Sequence, residues 1–159
     1  RVTRRPGVTR YAALSLVVDR QPPTVAITSP APGVWVKGPQ LEVTGSVADP
    51  GGSSVMVDVN GQMEQDPTLV VPRSFRALVN ASEGPLELVA TARDAAGNTA
   101  VTPPRDVKVD FTKPVIALHE PQGQAITRAA SVRVKGTVSD LSPTTLTIDG
   151  TPVSVGEVC

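Results

Sequence analysis

A segment near the middle of this 159-residue chain returns near its end, and that repetition constrains the fold more than any other feature. Val43-Thr-Gly-Ser-Val-Ala-Asp49 recurs as Val134-Lys-Gly-Thr-Val-Ser-Asp140. Val25-Ala-Ile27 recurs as Val115-Ile-Ala117, each just after a proline-bearing stretch, and Val57-Asp-Val-Asn-Gly61 recurs as Leu146-Thr-Ile-Asp-Gly150. The offsets are 91, 90 and 89 residues, so the unit is about 90 residues long. A partial third copy lies at the start, where Arg4-Arg-Pro-Gly-Val-Thr9 aligns with Asp94-Ala-Ala-Gly-Asn-Thr99 and Val17-Val-Asp19 with Lys108-Val-Asp110. The expected organisation is the C-terminal strand or strands of one repeat in 1–20, a complete repeat in 21–110 and the N-terminal half of a third in 111–159. On this reading the chain is a piece of a longer protein.

Within the complete repeat the apolar residues alternate with period two, as half-buried strands require. Val25 and Ile27 mark a first strand. Leu41, Val43, Gly45 and Val47 share one face of the next, with Glu42, Thr44 and Ser46 on the other. Val55, Val57 and Val59 follow, then Phe75, Ala77 and Val79, then Leu86, Leu88, Ala90 and Ala92 as one strand, and a last strand ends on Val107 and Val109. Turn chemistry separates them at Asp49-Pro-Gly-Gly, Asn60-Gly61, Ser82-Glu-Gly-Pro85 and Asp94-Ala-Ala-Gly-Asn98. Composition agrees. The chain holds 26 Val, 16 Thr and 16 Pro, residues that suit strands or are poorly tolerated inside helices. Only Arg76 to Glu83 hints at a helical period. The expected fold class is all-β, with tandem β-sandwiches of which the terminal ones are incomplete.

Three of these segments carry a family resemblance. Thr91-Ala-Arg-Asp-Ala-Ala-Gly-Asn-Thr99 resembles the penultimate strand and hairpin of bacterial immunoglobulin-like repeats. Val109-Asp-Phe-Thr-Lys-Pro-Val115 resembles their interdomain linker, and Val43 to Asp49 their second strand. The resemblance implies an extracellular or cell-surface setting and a role as spacer, adhesion stalk or accessory module beside a polysaccharide-degrading domain. The N-terminal copy departs from the pattern, with Arg4 in place of Asp94 and Val8 in place of Asn98.

Several classes of chemistry are excluded or weakened. Fifteen basic residues balance fifteen acidic ones, which is not the footprint of a nucleic-acid binder. No apolar run approaches the roughly 20 residues of a membrane helix. The single His, His119, has no nucleophile elbow or metal-ligand spacing around it, and the single Cys, Cys159, leaves no internal disulfide. Gly51-Gly52 reads as a turn, not a phosphate loop. The basic cluster Arg1, Arg4, Arg5 and Arg10 is expected to decorate a solvated hairpin, an anionic partner being the alternative reading. The expectation is a non-catalytic chain.

Two sites remain. In an immunoglobulin-like sandwich the loops holding Asp49, Asp94 and Asn98 lie at the end where the chain enters, beside a linker carrying Asp19. Converging oxygens suit Ca²⁺, the one candidate cofactor; the alternative reading is that Asp and Asn form turns. The downstream junction would use Asp110 and Asp140. Trp35, the only Trp, either stacks on a sugar ring or covers the sandwich edge. The implied partners are neighbouring repeats of the same chain, with a cell-surface glycan or protein as the outside candidate.

Overall fold

The computed structural model describes residues 16, 18–52, 54–65, 72–123, 126 and 128–155. The basic cluster at Arg1, Arg4, Arg5 and Arg10, the departing Val8 and Cys159 lie outside the described residues. The described chain is all-β. Ten strands build residues 24–109: β1 Thr24–Ser29, β2 Trp35–Val36, β3 Gln40–Ala48, β4 Val55–Val59, β5 Gln62–Met63, β6 Arg73–Asn80, β7 Gly84–Leu88, β8 Ala90–Asp94, β9 Thr99–Val101 and β10 Arg105–Val109. Four more follow: β11 Val115–Glu120, β12 Lys135–Ser139, β13 Leu146–Ile148 and β14 Thr151–Val153.

In the first ten strands the order is β1-β3-β6 in one sheet, β5-β4-β8-β9 in a second and β2-β10-β7 in a third. All pairs are antiparallel except β2 with β10. The alternation in the sequence sets which side chains meet. Ile27, Val43, Val47, Phe75, Ala77 and Val79 of the first sheet share one buried cluster with Val55, Val57, Val59, Ala90 and Ala92 of the second and with Leu88 and Val107 of the third. Each fully buried Val there is worth roughly 1.5–3 kcal/mol relative to exposure. The hint of a helix at Arg76 to Glu83 is not realised, since Arg76 to Asn80 continue β6.

One expected strand is broken. Leu86 to Ala92 reads as a single run, yet pairing changes at Val89: β7 pairs with β10 and β8 with β4 and β9. The two hairpin halves differ in register by one residue, Thr91 facing Val101 but Leu88 facing Arg105. Thr102 bridges the slip, its N–H donating to the Ala90 carbonyl at 2.9 Å and its hydroxyl accepting from the Ala90 N–H at 3.0 Å. At the break the Val89 N–H donates to Asn60 Oδ1 at 2.8 Å, and Asn60 Nδ2 donates to the Glu87 carbonyl at 2.8 Å. A strand interruption packed against a core must find such partners for its backbone. Because each side chain still alternates, Leu88, Ala90 and Ala92 stay in the core across the jog.

The repeat is visible in the backbone. β1 faces β3 with Val25 opposite Val47 and Ile27 opposite Gly45, with a register shift before Ser29. β11 faces β12 with Ile116 opposite Val138 and Leu118 opposite Gly136, with the same shift before Glu120. The structural offset is therefore 91 throughout this pair, and Val25 corresponds to Ile116, not to Val115 as the sequence match suggests. The turn at Asn60-Gly61 has φ of 49° and 79°, and that at Asp149-Gly150 has 48° and 79°, the two positive values a tight hairpin turn of this type needs. The copies differ in burial. Ile27 is 5% exposed, whereas Ile116 and Leu118 are 61% and 60% exposed.

Candidate cation site at the first junction

Three aspartates from separate parts of the chain meet beside β1, β3 and β8. Asp49 follows β3, Asp94 ends β8, and Asp19 lies in the stretch that enters β1. One carboxylate oxygen from each lies within 4.8 Å of the others. Asp49 and Asp94 are buried and Asp19 is half-buried. Gly51 makes the approach of Asp19 possible, because a Cβ there would overlap the Asp19 carboxylate. The Asp19 carboxylate also accepts the Gln21 N–H at 2.9 Å, so the entering chain is turned by its own side chain.

Asn98 completes the group. Its backbone N–H donates to Asp94 Oδ1 at 2.8 Å and its Nδ2 to Asp94 Oδ2 at 2.8 Å. Longer contacts of 3.4 Å run from Nδ2 to the carbonyls of Asp19 and Gln21. The turn closes through Gly97, at φ 96°, whose N–H donates to the Asp94 carbonyl at 3.2 Å. Burial works against the charge of Asp94, but hydrogen bonds from the Asn98 side chain and backbone, and from the backbones of Gly97 and Ala96, outweigh it and hold the carboxyl below its ordinary value. All four residues singled out in the sequence are thus brought together. The converging oxygens are those of three carboxylates, a set that suits a hard cation such as Ca²⁺ and lacks the His or Cys that zinc favours, while Asn98 turns its amide nitrogen to Asp94. Three carboxylates this close repel one another, and a divalent cation would relieve that repulsion.

The carboxylates between β10 and β13 are arranged differently. Asp110 accepts from the Thr112 N–H at 3.1 Å and from the Ser142 N–H at 3.0 Å. Asp140 accepts from the hydroxyls of Ser142 and Thr144 at 3.3 and 3.1 Å. Glu83, from the loop before β7, accepts the Phe111 N–H at 3.0 Å and the Thr112 hydroxyl at 2.5 Å. The Thr112 hydroxyl first, then the Phe111 N–H, hold the Glu83 carboxyl below its ordinary value. Asp110 and Asp140 are joined through Ser142, which stands 91 residues after Gly51.

Trp35 stands on β2 opposite Lys108, whose ammonium lies 5.3 Å from the ring centroid, a cation–π distance. The indole is 37% exposed, and its neighbour Val36 is the residue packed on the core. His119 Nε2 lies 3.3 Å from the Thr137 hydroxyl on an exposed strand face. The described residues hold no constellation of nucleophile, base and orienting carboxylate. Sequence reading missed the buried pair between Glu64 and Arg73, in which the carboxylate also accepts the Val57 N–H at 3.2 Å and the guanidinium donates to the Val55 carbonyl at 2.7 Å. A lone Glu after a two-residue strand gives no sequence signal of burial.

No family model matches the chain. A stretch of Bacillopeptidase F from Bacillus subtilis (strain 168) is 30% identical over 142 residues, covering 89% of this chain. The chain spans about a tenth of that protein, 10% of its length. Among solved structures, the fibronectin(III)-like modules of Clostridium thermocellum CbhA align over 82% of this chain and 72% of theirs, at 21% identity and a TM-score of 0.45. The SrpA adhesin of Streptococcus sanguinis aligns over 60% of this chain and 57% of its own, at 18% identity and a TM-score of 0.40.

Proposed function

We propose that the chain is a run of tandem immunoglobulin-like β-sandwich repeats with boundaries near 20 and 110, serving as a non-catalytic spacer or adhesion stalk in a secreted or surface-anchored bacterial protein. The observation that carries the reading is the meeting of Asp19 with Asp49 and Asp94. It ties the entering linker to two loops of the next unit, and a Ca²⁺ ion held there would fix the angle between neighbours. Asp19, Asp49 and Asp94 would supply carboxylate oxygens, and Asn98 would supply its amide oxygen after the side chain turns over. Pro22, Pro23 and Pro114 restrict the linkers further, because proline fixes φ and biases its predecessor to extended backbone. The hydrogen bonds of Glu83 to Phe111 and Thr112, and of Asp110 to Thr112 and Ser142, support the same mechanical role.

A second reading is favoured by one finding. Similarity to part of a protein named as a peptidase supports an accessory module beside a secreted hydrolase. Trp35 is the residue such a module would offer to a glycan, with Lys108 over its ring.

Thermal unfolding of the 159-residue chain with Ca²⁺ and with chelator tests the first reading. An ion bound only by the folded state at a hundredfold excess over its dissociation constant stabilises by about 2.7 kcal/mol. For a unit of this size that is a rise of roughly 10–20 °C, abolished in Asp94→Ala. A flat melting temperature across the titration removes the ion from the account and leaves these residues as turn formers.

A further inference from the structure

We propose that the cleft between Trp35 and Phe111 binds an acidic polysaccharide, its sugar rings stacked on the two aromatic side chains and its carboxylate or sulfate groups met by Lys37, Lys108 and Lys113. This ligand class rests on the reading of Trp35 as a residue offered to a glycan. The cleft holds about 380 Å³ and is lined by Trp35, Lys37, Phe111 and Lys113 together with Asp110 and Asp140. A few polar groups placed around apolar and aromatic surface is the usual make-up of a small-ligand site. Trp35 and Phe111 are 37% and 41% exposed, and an exposed ring face is a stacking surface for a sugar.

The charge of the ligand follows from the lysines. Three of the chain's four lysines gather here. Lys37 and Lys113 line the cleft, and the Lys108 ammonium lies 5.3 Å from the Trp35 ring centroid. All three are exposed, and none pairs with a carboxylate among the described residues. The nearby carboxylates are occupied instead. Asp110 accepts the N–H groups of Thr112 and Ser142, Asp140 the hydroxyls of Ser142 and Thr144, and Glu83 the Phe111 N–H and the Thr112 hydroxyl. An acid group on a sugar beside the indole therefore meets ammonium groups with no competing partner. Completion of the later copy does not cover the linker side of the cleft. Phe111, Thr112 and Lys113 stand 91 residues after Arg20, Gln21 and Pro22, which are exposed although every strand from β1 to β10 is in place beside them.

The test follows the fluorescence of Trp35, the chain's only Trp, in the 159-residue chain. It is titrated in chelator with a galacturonate hexamer, the uncharged methyl ester of that hexamer, a sulfated galactan hexamer and hexaglutamate. At low salt an acidic sugar binds about tenfold more tightly than the ester, as a few exposed ion pairs allow, and high salt removes the difference. The tighter of the two acidic sugars identifies the acid group. Lys37→Gln with Lys113→Gln brings the affinity for the acidic sugar close to that of the ester, while Phe111→Ala weakens both. Equal affinities for acid and ester overturn the acidic ligand and leave the glycan reading of Trp35 standing. Hexaglutamate bound as tightly as the acidic sugars overturns the sugar, and an unchanged Trp35 signal with all four probes removes the site and the glycan reading together.

Discussion

Gly45 is the position at which a single methyl group tests the packing account most sharply. It sits on the inward face of β3 between Val43 and Val47, opposite Ile27 on one side and Phe75 on the other. A Cβ there would overlap both the Phe75 ring and the Ala26 carbonyl oxygen. The ring could rotate or shift, but the carbonyl belongs to the β1 backbone and moves only with the sheet. Overpacking of a filled core costs about 1–3 kcal/mol, and with a backbone obstruction Gly45→Ala belongs at the upper end, near 3 kcal/mol. For a unit of this size that is a fall in melting temperature of roughly 12–24 °C. Combining it with Phe75→Leu should recover only part of the loss, because the carbonyl remains. Gly136→Ala faces one obstruction, the Ala117 carbonyl at 2.6 Å, and should cost less. Differential scanning calorimetry of the four proteins decides the matter. If Gly45→Ala melts within a degree of the parent, β1, β3 and β6 are not packed as described.

Breaking the buried pair by Glu64→Ala should cost about 3–5 kcal/mol, while Glu64→Met with Arg73→Leu should recover much of it in chemical denaturation. Asn60→Gly keeps the positive φ but removes both side-chain bonds to the strand break, so hydrogen exchange at Val89 should accelerate while the turn survives. Because the carboxyls of Asp94 and Glu83 are held below their ordinary values in the folded chain, their contribution is complete above the ordinary carboxylate range. It is lost as pH falls through the lowered values. The metal-free chain should therefore melt at a constant temperature above about pH 5 and less stably below it, with a shallower acid slope in Asp94→Asn.

The strands with long alternation were legible because burial on one face imposes period two: β3, β4 and β6 fall where Val43, Val57 and Ala77 place them. The acidic cluster was legible through the family resemblance, because an immunoglobulin-like sandwich brings the loops holding Asp49 and Asp94 to the end where the chain enters. The break at Val89 was not, because side-chain alternation continues through it and only the backbone partners change. β2 and β5 have two residues each, too few for any period to register. Glu64 and Arg73 find each other across a stretch whose length the sequence shows but whose path it does not.

The claim that an ion at Asp19, Asp49 and Asp94 fixes the first linker is tested most directly by the distance between spin labels on either side of it. The labels are placed by Leu16→Cys and Gln62→Cys in a Cys159→Ser background. Pulsed electron paramagnetic resonance should give a broad distance distribution in chelator and a narrow one in Ca²⁺, with Asp94→Ala remaining broad in both. Distributions of equal width with and without Ca²⁺ would contradict the account.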